Sequence, residues 1–401
     1  MGVVSPAGEG VAAFRVALFS GRSAVGPLSV FEPDGLACRV AAEVRGFDPA
    51  PHMAPGDERR VSRASPMGVA AAKEALAGAG IELDAGARRA VGIIVGSGAG
   101  GIEFGERQYR LYFGGATHQI NPYAISTSFV GSLSSDVSIA LGISGPSHVI
   151  STGCTSSTDA IGYAARWIQS GALDVALTGG VEACITPAIM AGFCRMKVVS
   201  TGFNAAPSRA SRPFDRDRDG FVIGEGAWIF VLEERERARA RGAPILAEVR
   251  GYASTCDAYH RVALDPEGRE PARAIELALA EAGCPPEEVG YVNLHGTGTR
   301  QNDAVEARVV RKVFGARLPP ASATKSVFGH PQGACGALGA AAAILALRGG
   351  ILPPTVNLDN VDPECELDHV AREPRRVGVE WAVCNCIGFG SKNSALVLRR
   401  A

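Results

Sequence analysis

Apolar positions recur at helical spacing over residues 65–79, 156–170, 233–241, 271–282, 303–314 and 333–348, with short β-branched runs between them. The clearest strands are expected over residues 90–95, 147–151, 175–179, 227–232, 245–252, 291–294 and 394–399. This alternation predicts an α/β chain whose sheets are covered by helices. The Arg- and Asp-rich stretch 206–220 reads as an ordered surface loop, since apolar residues resume on both sides. The strand and helix near residues 227–241 read as a bridge between an N-terminal half, residues 1–237, and a C-terminal half, residues 238–401. The weakly polar stretch 334–347 is about 14 residues, too short to span a bilayer, and is expected as a buried helix.

Composition narrows the class. In 401 residues, 46% are hydrophobic and 20% charged, and 40 Lys and Arg against 41 Asp and Glu leave a net charge of −1. Bulk charge therefore points to neither nucleic acid nor a membrane surface. The ten cysteines are scattered, with no Cys-x-x-Cys pair, which argues for reduced thiols and a cytoplasmic setting. Residues 1–20 lack the pattern of a secretory signal.

The chemistry concentrates at element ends. A β-branched run ends in Ser151-Thr152-Gly153-Cys154-Thr155-Ser156, where a helical pattern begins. A thiol there meets the positive end of the helix dipole and unpaired N–H groups, so thiolate is expected to be favoured. Two further strands end in polar groups: His295-Gly296-Thr297-Gly298-Thr299, and Lys325-Ser326-Val327-Phe328-Gly329-His330. Asn385-Cys386-Ile387-Gly388-Phe389-Gly390-Ser391-Lys392-Asn393 reads as a glycine-punctuated turn able to offer backbone N–H groups to an oxyanion. Taken singly, Cys154 or His295 would pass as a packing residue, and Lys325 with Glu306 as a structural ion pair. His52, His118, His148, His260 and His369 read as surface or packing residues. The glycine-rich run Val95 to Gly101 lacks the acidic residue of a dinucleotide site and reads as pocket wall. Cys384 and Cys386 have neither the spacing nor the partners of a metal site, and no metal is expected.

Over nearly its whole length the chain resembles the β-ketoacyl-acyl carrier protein synthases with one Cys and two His. The resemblance rests on Gly145-Pro146-Ser147 leading to Cys154; on the His295 motif with Asp303 and Glu306; on the Lys325 to His330 motif; and on Ser211-Arg212-Pro213-Phe214-Asp215 with Asp219-Gly220-Phe221. Residues 299–303, 256–260 and 151–156 look closer to ketosynthase subunits of type II polyketide systems than to fatty-acid enzymes. The resemblance implies the thiolase fold, two pseudo-twofold-related halves stacked α-β-α-β-α. It implies that Cys154 carries the acyl chain and that His295 and His330 stabilise the enolate left by decarboxylation of a malonyl thioester. The N–H groups of Cys154 and Phe389 would form the oxyanion hole, and Lys325, held by Glu306, would keep the imidazoles neutral.

The same resemblance sets substrate and partner expectations. Ala99 and Ala124 stand where bulkier residues often line the acyl pocket, Ala124 reaching across to a partner's pocket; both point to a wider chain. Thr297 and Thr299 would bind the phosphopantetheine arm of the acyl carrier protein, and Arg59, Arg60, Arg63 and Lys197 would dock that acidic partner. No cofactor beyond this arm is expected. The active unit would be a homodimer, or a heterodimer with a chain-length-factor homologue. Relatives carry a strand before the Gly2 to Pro6 turn, so a core strand is expected to be missing; Lys392 adds an unusual charge beside Phe389. The leading reading is decarboxylative Claisen condensation in a type II polyketide pathway. The alternative is β-ketoacyl synthase II of fatty-acid elongation, with a non-condensing partner subunit and an NAD-dependent oxidoreductase as remaining rivals.

Overall fold

The computed structural model describes residues 1–401. The strands of its two main sheets are β1 (Gly2–Ser5), β2 (Gly8–Glu9), β3 (Val91–Gly96), β4 (Ser147–Ile150), β5 (Val175–Glu182), β6 (Gly226–Glu233), β7 (Glu248–Cys256), β8 (Val289–Asn293), β9 (Ala321–Ser322), β10 (Trp381–Gly388) and β11 (Lys392–Arg399). They form a six-stranded sheet ordered β2-β1-β6-β5-β3-β4 and a five-stranded sheet ordered β9-β8-β10-β11-β7. In each, a parallel trio (β5-β3-β4; β10-β8-β9) is extended by antiparallel neighbours. The central parallel strands β3 and β5 are buried along their whole length, as strands covered on both faces are, whereas the edge strand β4 is partly exposed.

Two helices fill the space between the sheets: α1 (Ser156–Gln169), which follows β4, and α2 (Cys335–Gly349). Outer layers are made by the helix Ala64–Ala79 on the first sheet and by Arg269–Ala282 and Arg300–Phe314 on the second. The stack is α-β-α-β-α, the fold expected. Twelve residues of α2 are buried, and its run of alanines and glycines lets both sheets approach closely. A Cβ at Gly336 would collide with the Thr158 hydroxyl of α1, so the two central helices touch through their smallest residues. The largest core cluster gathers around α2, joining Trp228, Tyr291, Ala382 and Leu396 from the two sheets.

Three expectations change. Gly2–Ser5 is itself a strand, fully buried and antiparallel to β6, so the sheet has its strand at this position. The polar stretch 206–220 is largely interior from Ala210 onward: Arg212 pairs with Asp215 at 2.9 Å, and Arg218 pairs with Asp303 at 3.4 Å and Asp362 at 2.6 Å. Charges of both signs at matched spacing let this loop leave water. The segment expected as a turn over residues 385–393 is instead the end of β10, a tight turn and the start of β11.

Candidate active site

Cys154 lies in a single 3₁₀ turn, Gly153–Thr155, between β4 and α1. Gly153 has φ +70°, the left-handed geometry the sharp reversal demands. The turn is braced from within. The Thr152 N–H donates to Ser156 Oγ at 2.9 Å, and Asp159 accepts from the hydroxyls of Thr152, Thr155, Tyr252 and Ser394. Sequence reasoning passed over Asp159, an acidic residue in a first helical turn, because its partners lie as far away as β11.

His295 follows β8, and His330 lies between Gly329 and α2; the two rings sit 5.4 Å apart at 87°. Their hydrogen bonds set the tautomers. The Gln332 N–H donates to His330 Nδ1 at 3.1 Å, and Lys325 Nζ lies 3.3 Å from His295 Nδ1. With Nδ1 accepting in both rings, each Nε2 carries the proton and is a donor. Burial, and after it the Lys325 charge, pushes His295 down to about 3. His330 is lowered chiefly by burial. Both imidazoles are therefore neutral at pH 7, as expected.

The Cys154 thiol departs from expectation. Burial pushes it up to about 12; the neighbouring Cys335 adds to the rise, while Lys325 and the Phe389 N–H pull the other way. The helix end is real, but removing the sulfur from water outweighs it in the resting site. Glu306 also differs from the reading. It makes no ion pair with Lys325 and accepts instead from the His295 N–H at 2.6 Å, the Gly296 N–H at 2.7 Å and Asn385 Nδ2 at 2.7 Å. Lys325 Nζ donates to His295 O at 2.5 Å. Glu306 thus holds the His295 backbone, and Lys325 holds the ring.

A narrow cavity of 40 Å³ joins these groups, lined by Cys154, His295, His330, Thr297, Thr299 and Phe389 among others. A larger cavity of 400 Å³ lies against β6 and contains none of them. The Thr297 and Thr299 hydroxyls are 2.9 Å apart on the cavity wall. The turn carrying Phe389 is latched to residues 257–261: the Gly390 N–H donates to Arg261 O at 2.9 Å, Ser391 Oγ donates to His260 O at 2.8 Å, and Asn393 Nδ2 donates to Asp257 at 2.6 Å. Lys392 starts β11, half-exposed.

Ala99 packs in the cluster holding Phe193 and Phe389. Its loop is fixed by Glu182, which accepts from the N–H groups of Gly98 (2.7 Å), Ala99 (3.2 Å) and Gly333 (2.9 Å). Burial pushes Glu182 up to about 7. Ala124 is not brought to this cavity and lies on the outer surface beside exposed Tyr123 and Ile125. Arg59, Arg60 and Lys197 are exposed, whereas Arg63 is committed to the buried Glu225 at 2.7 Å and leaves the docking set. Sequence reasoning missed Gln332, whose Oε1 lies 4.0 Å from Cys154 Sγ and whose buried Nε2 has no partner. It also left Cys386 alone, whereas the fold brings it to Cys335 and His295. Two triples of ligand-type atoms, Cys154–His295–His330 and His295–Cys335–Cys386, lie within 4.8 Å, but the Lys325 ammonium beside His295 opposes a cation there.

Residues 1–238 match the family described as "Beta-ketoacyl synthase, N-terminal domain", and residues 246–359 match "Beta-ketoacyl synthase, C-terminal domain". The chain is 38% identical over 402 residues to 3-oxoacyl-(acyl-carrier-protein) synthase 2 of Synechocystis sp., covering 100% of this chain and 96% of that protein. It is 40% identical over 413 residues to the tetracenomycin polyketide synthase ketoacyl synthase alpha subunit of Streptomyces glaucescens, with coverage of 100% and 96%. Among solved structures it is similar to the ishigamide ketosynthase/chain length factor, with a TM-score of 0.92, 35% identity and coverage of 100% and 97%. No helix is long and apolar enough to cross a membrane.

Proposed function

Because this chain belongs to the β-ketoacyl synthase family of acyl-transferring enzymes, we propose that it catalyses decarboxylative Claisen condensation between malonyl-acyl carrier protein and an acyl chain on Cys154, in a type II polyketide pathway. The observation that carries this reading is the pair of neutral imidazoles, each with its Nε2 proton fixed by a bond at Nδ1, beside one cysteine. Cys154 attacks the acyl thioester, the N–H groups of Cys154 and Phe389 hold the tetrahedral oxyanion, and the carrier thiol leaves with the proton. Malonyl thioester then loses carbon dioxide; the freed electron pair becomes an enolate whose oxygen accepts from His295 and His330. The enolate carbon attacks the Cys154 thioester, and collapse expels the cysteine thiolate. Burial raises the resting thiol, so deprotonation is coupled to attack rather than complete beforehand.

The small Ala99 and the unpartnered Gln332 amide beside Cys154 support an oxygenated, bulkier chain. A second reading, fatty-acid elongation, is favoured by the narrowness of the cavity. The substrates would arrive on the phosphopantetheine arm, with Thr297 and Thr299 along its path and Arg59, Arg60 and Lys197 at the docking rim, and no separate cofactor is required. A second subunit, identical or a chain-length-factor homologue, would cover the exposed Tyr109, Tyr112, Phe113 and Phe129 and the free edge of β4, with Ala124 at that contact. The two halves would meet at residues 237 and 238, and the setting would be the cytoplasm. Mass spectrometry of acyl adducts after incubation with acyl and malonyl carrier proteins tests the reading. An adduct on the Cys154 peptide, absent from Cys154→Ala, is expected, and an unmodified wild-type peptide would refute it. Co-purification with a homologue lacking the cysteine would separate polyketide from fatty-acid use.

A further inference from the structure

Glu182 ends β5 fully buried, and all of its partners are neutral donors. A carboxylate taken out of water with no cation against it is costly, and its four partners come from only two loops. Oε1 accepts from the Ala99 N–H and the Ser97 hydroxyl, both at 3.2 Å. Oε2 accepts from the Gly98 N–H at 2.7 Å and the Gly333 N–H at 2.9 Å, so it is shared between the Ala99 loop and the turn that follows His330. The two loops meet here without side chains. A Cβ on Gly333 would lie 2.1 Å from the Gly98 nitrogen.

The bond at Gly333 reaches the imidazole. Gln332, just before it, has φ +38°, a left-handed geometry that a residue with a side chain keeps only when it is held there. Its N–H is the donor at 3.1 Å to His330 Nδ1. The peptide on one side of Gln332 is therefore pinned to the ring, and the peptide on the other side to Glu182. His295 is braced more directly, since Glu306 accepts from its own N–H. The His330 N–H donates instead to Val222 O at 2.7 Å, so its ring depends on the route through Gln332.

We propose that Glu182 is a positioning residue for the condensation, fixing the Ala99 wall with one oxygen and, through Gly333 and Gln332, the proton on His330 Nε2 with the other. The inference rests on His330 stabilising the enolate in the proposed function. Loss of the Gly333 bond lets the strained Gln332 relax, its N–H leaves Nδ1, and the ring proton is free to move to that nitrogen. The Nε2 donor that the enolate needs is then lost.

Two substitutions pull the two roles apart. In Glu182→Gln the amide oxygen can keep the Gly98 and Gly333 N–H groups while its NH2 donates to Ser97 Oγ, leaving only the Ala99 N–H without an acceptor. That variant should make products of altered length, with carbon dioxide release from malonyl-acyl carrier protein within about twofold of wild type. Glu182→Leu takes the acceptor from Gly333 as well and should slow that release by about tenfold or more, while transfer of an acetyl group to Cys154 stays within about threefold. Nitrogen-labelled histidine supplies a readout that a mere loss of stability would not move. The His330 ring signal, assigned by its absence from His330→Ala, should be the Nε2–H form in wild type and Glu182→Gln and a mixture of tautomers in Glu182→Leu. The assays are run at about pH 8, above the value of about 7 to which burial lifts Glu182. Should circular dichroism show Glu182→Leu unfolded, Glu182→Asp, which draws the carboxylate back by one methylene, should give the same slowing and tautomer change at smaller size. A folded Glu182→Leu or Glu182→Asp with wild-type release and an unmixed His330 tautomer would overturn the proposal. So would wild-type product length in Glu182→Gln. A wild type that forms no acyl adduct, with the tautomer change still present in Glu182→Leu, would sink the condensation reading alone.

Discussion

Replacing Lys325 by methionine should separate the two halves of the reaction. The ammonium lies 3.3 Å from His295 Nδ1. At that distance a second positive charge on the ring would cost roughly 5 kcal/mol at an effective dielectric near 20. This is an upper bound, because the ammonium also bonds His295 O and because burial is the larger cause of the depression to about 3. Removing the charge should return roughly one to two pKa units. The neutral ring is the active form, so protonation of His295 should not limit the wild-type decarboxylation rate above about pH 4.5, while in the variant it should cut in near about pH 5. The variant also loses the partner that keeps the proton on Nε2, worth about 10²- to 10³-fold in rate by analogy with a lost oxyanion donor. The assay is release of carbon dioxide from malonyl-acyl carrier protein across pH, with acylation of Cys154 as the control. Acylation should fall by less than about tenfold, since the Cys154 and Phe389 N–H groups are untouched. A decarboxylation rate within about threefold of wild type, or an acid limb that does not move, would refute the tautomer argument.

Other substitutions probe the remaining parts. Glu306→Ala would orphan three donors at about 1–3 kcal/mol each, and a urea midpoint equal to wild type would show that Glu306 is no brace. Ala99→Phe should fill the space beside Phe193 and Phe389 and shorten the products; unchanged product length counts against that wall. Gln332→Leu should cost oxygenated acyl chains about tenfold in kcat/KM while sparing saturated ones, and an equal loss on both would deny the amide a selective role. Arg59→Glu with Lys197→Glu should raise KM for acyl carrier protein at low salt, with the difference vanishing at high salt; a salt-independent effect would point to misfolding.

The chemistry was legible because it sits at strand ends, where a reactive group beside glycine stands out from apolar surroundings. Cys154, His295, Lys325 and His330 all converge as read. Contacts between distant segments left no local signal: nothing near Cys335 announces Cys386, 51 positions away, or Cys154, 181 away. The resemblance paired Lys325 with Glu306, whereas backbone N–H groups competed for the carboxylate and won. β10 escaped notice because a strand buried on both faces shows no alternation, and its cysteines, asparagine and glycine read as a turn. The helix Ser132–Leu141 was lost because its serines leave no apolar stripe, whereas Ile102–Phe113 carries a clear stripe that the reading passed over.

The latch between the Phe389 turn and residues 257–261 joins two segments far apart in the chain. Val262 and Leu264, just beyond that segment, line the cavity together with Phe389, so a change in either segment is felt at the cavity wall through the other. Substitutions at Asp257 or Ser391, which do not line the cavity themselves, are therefore expected to reshape it from outside.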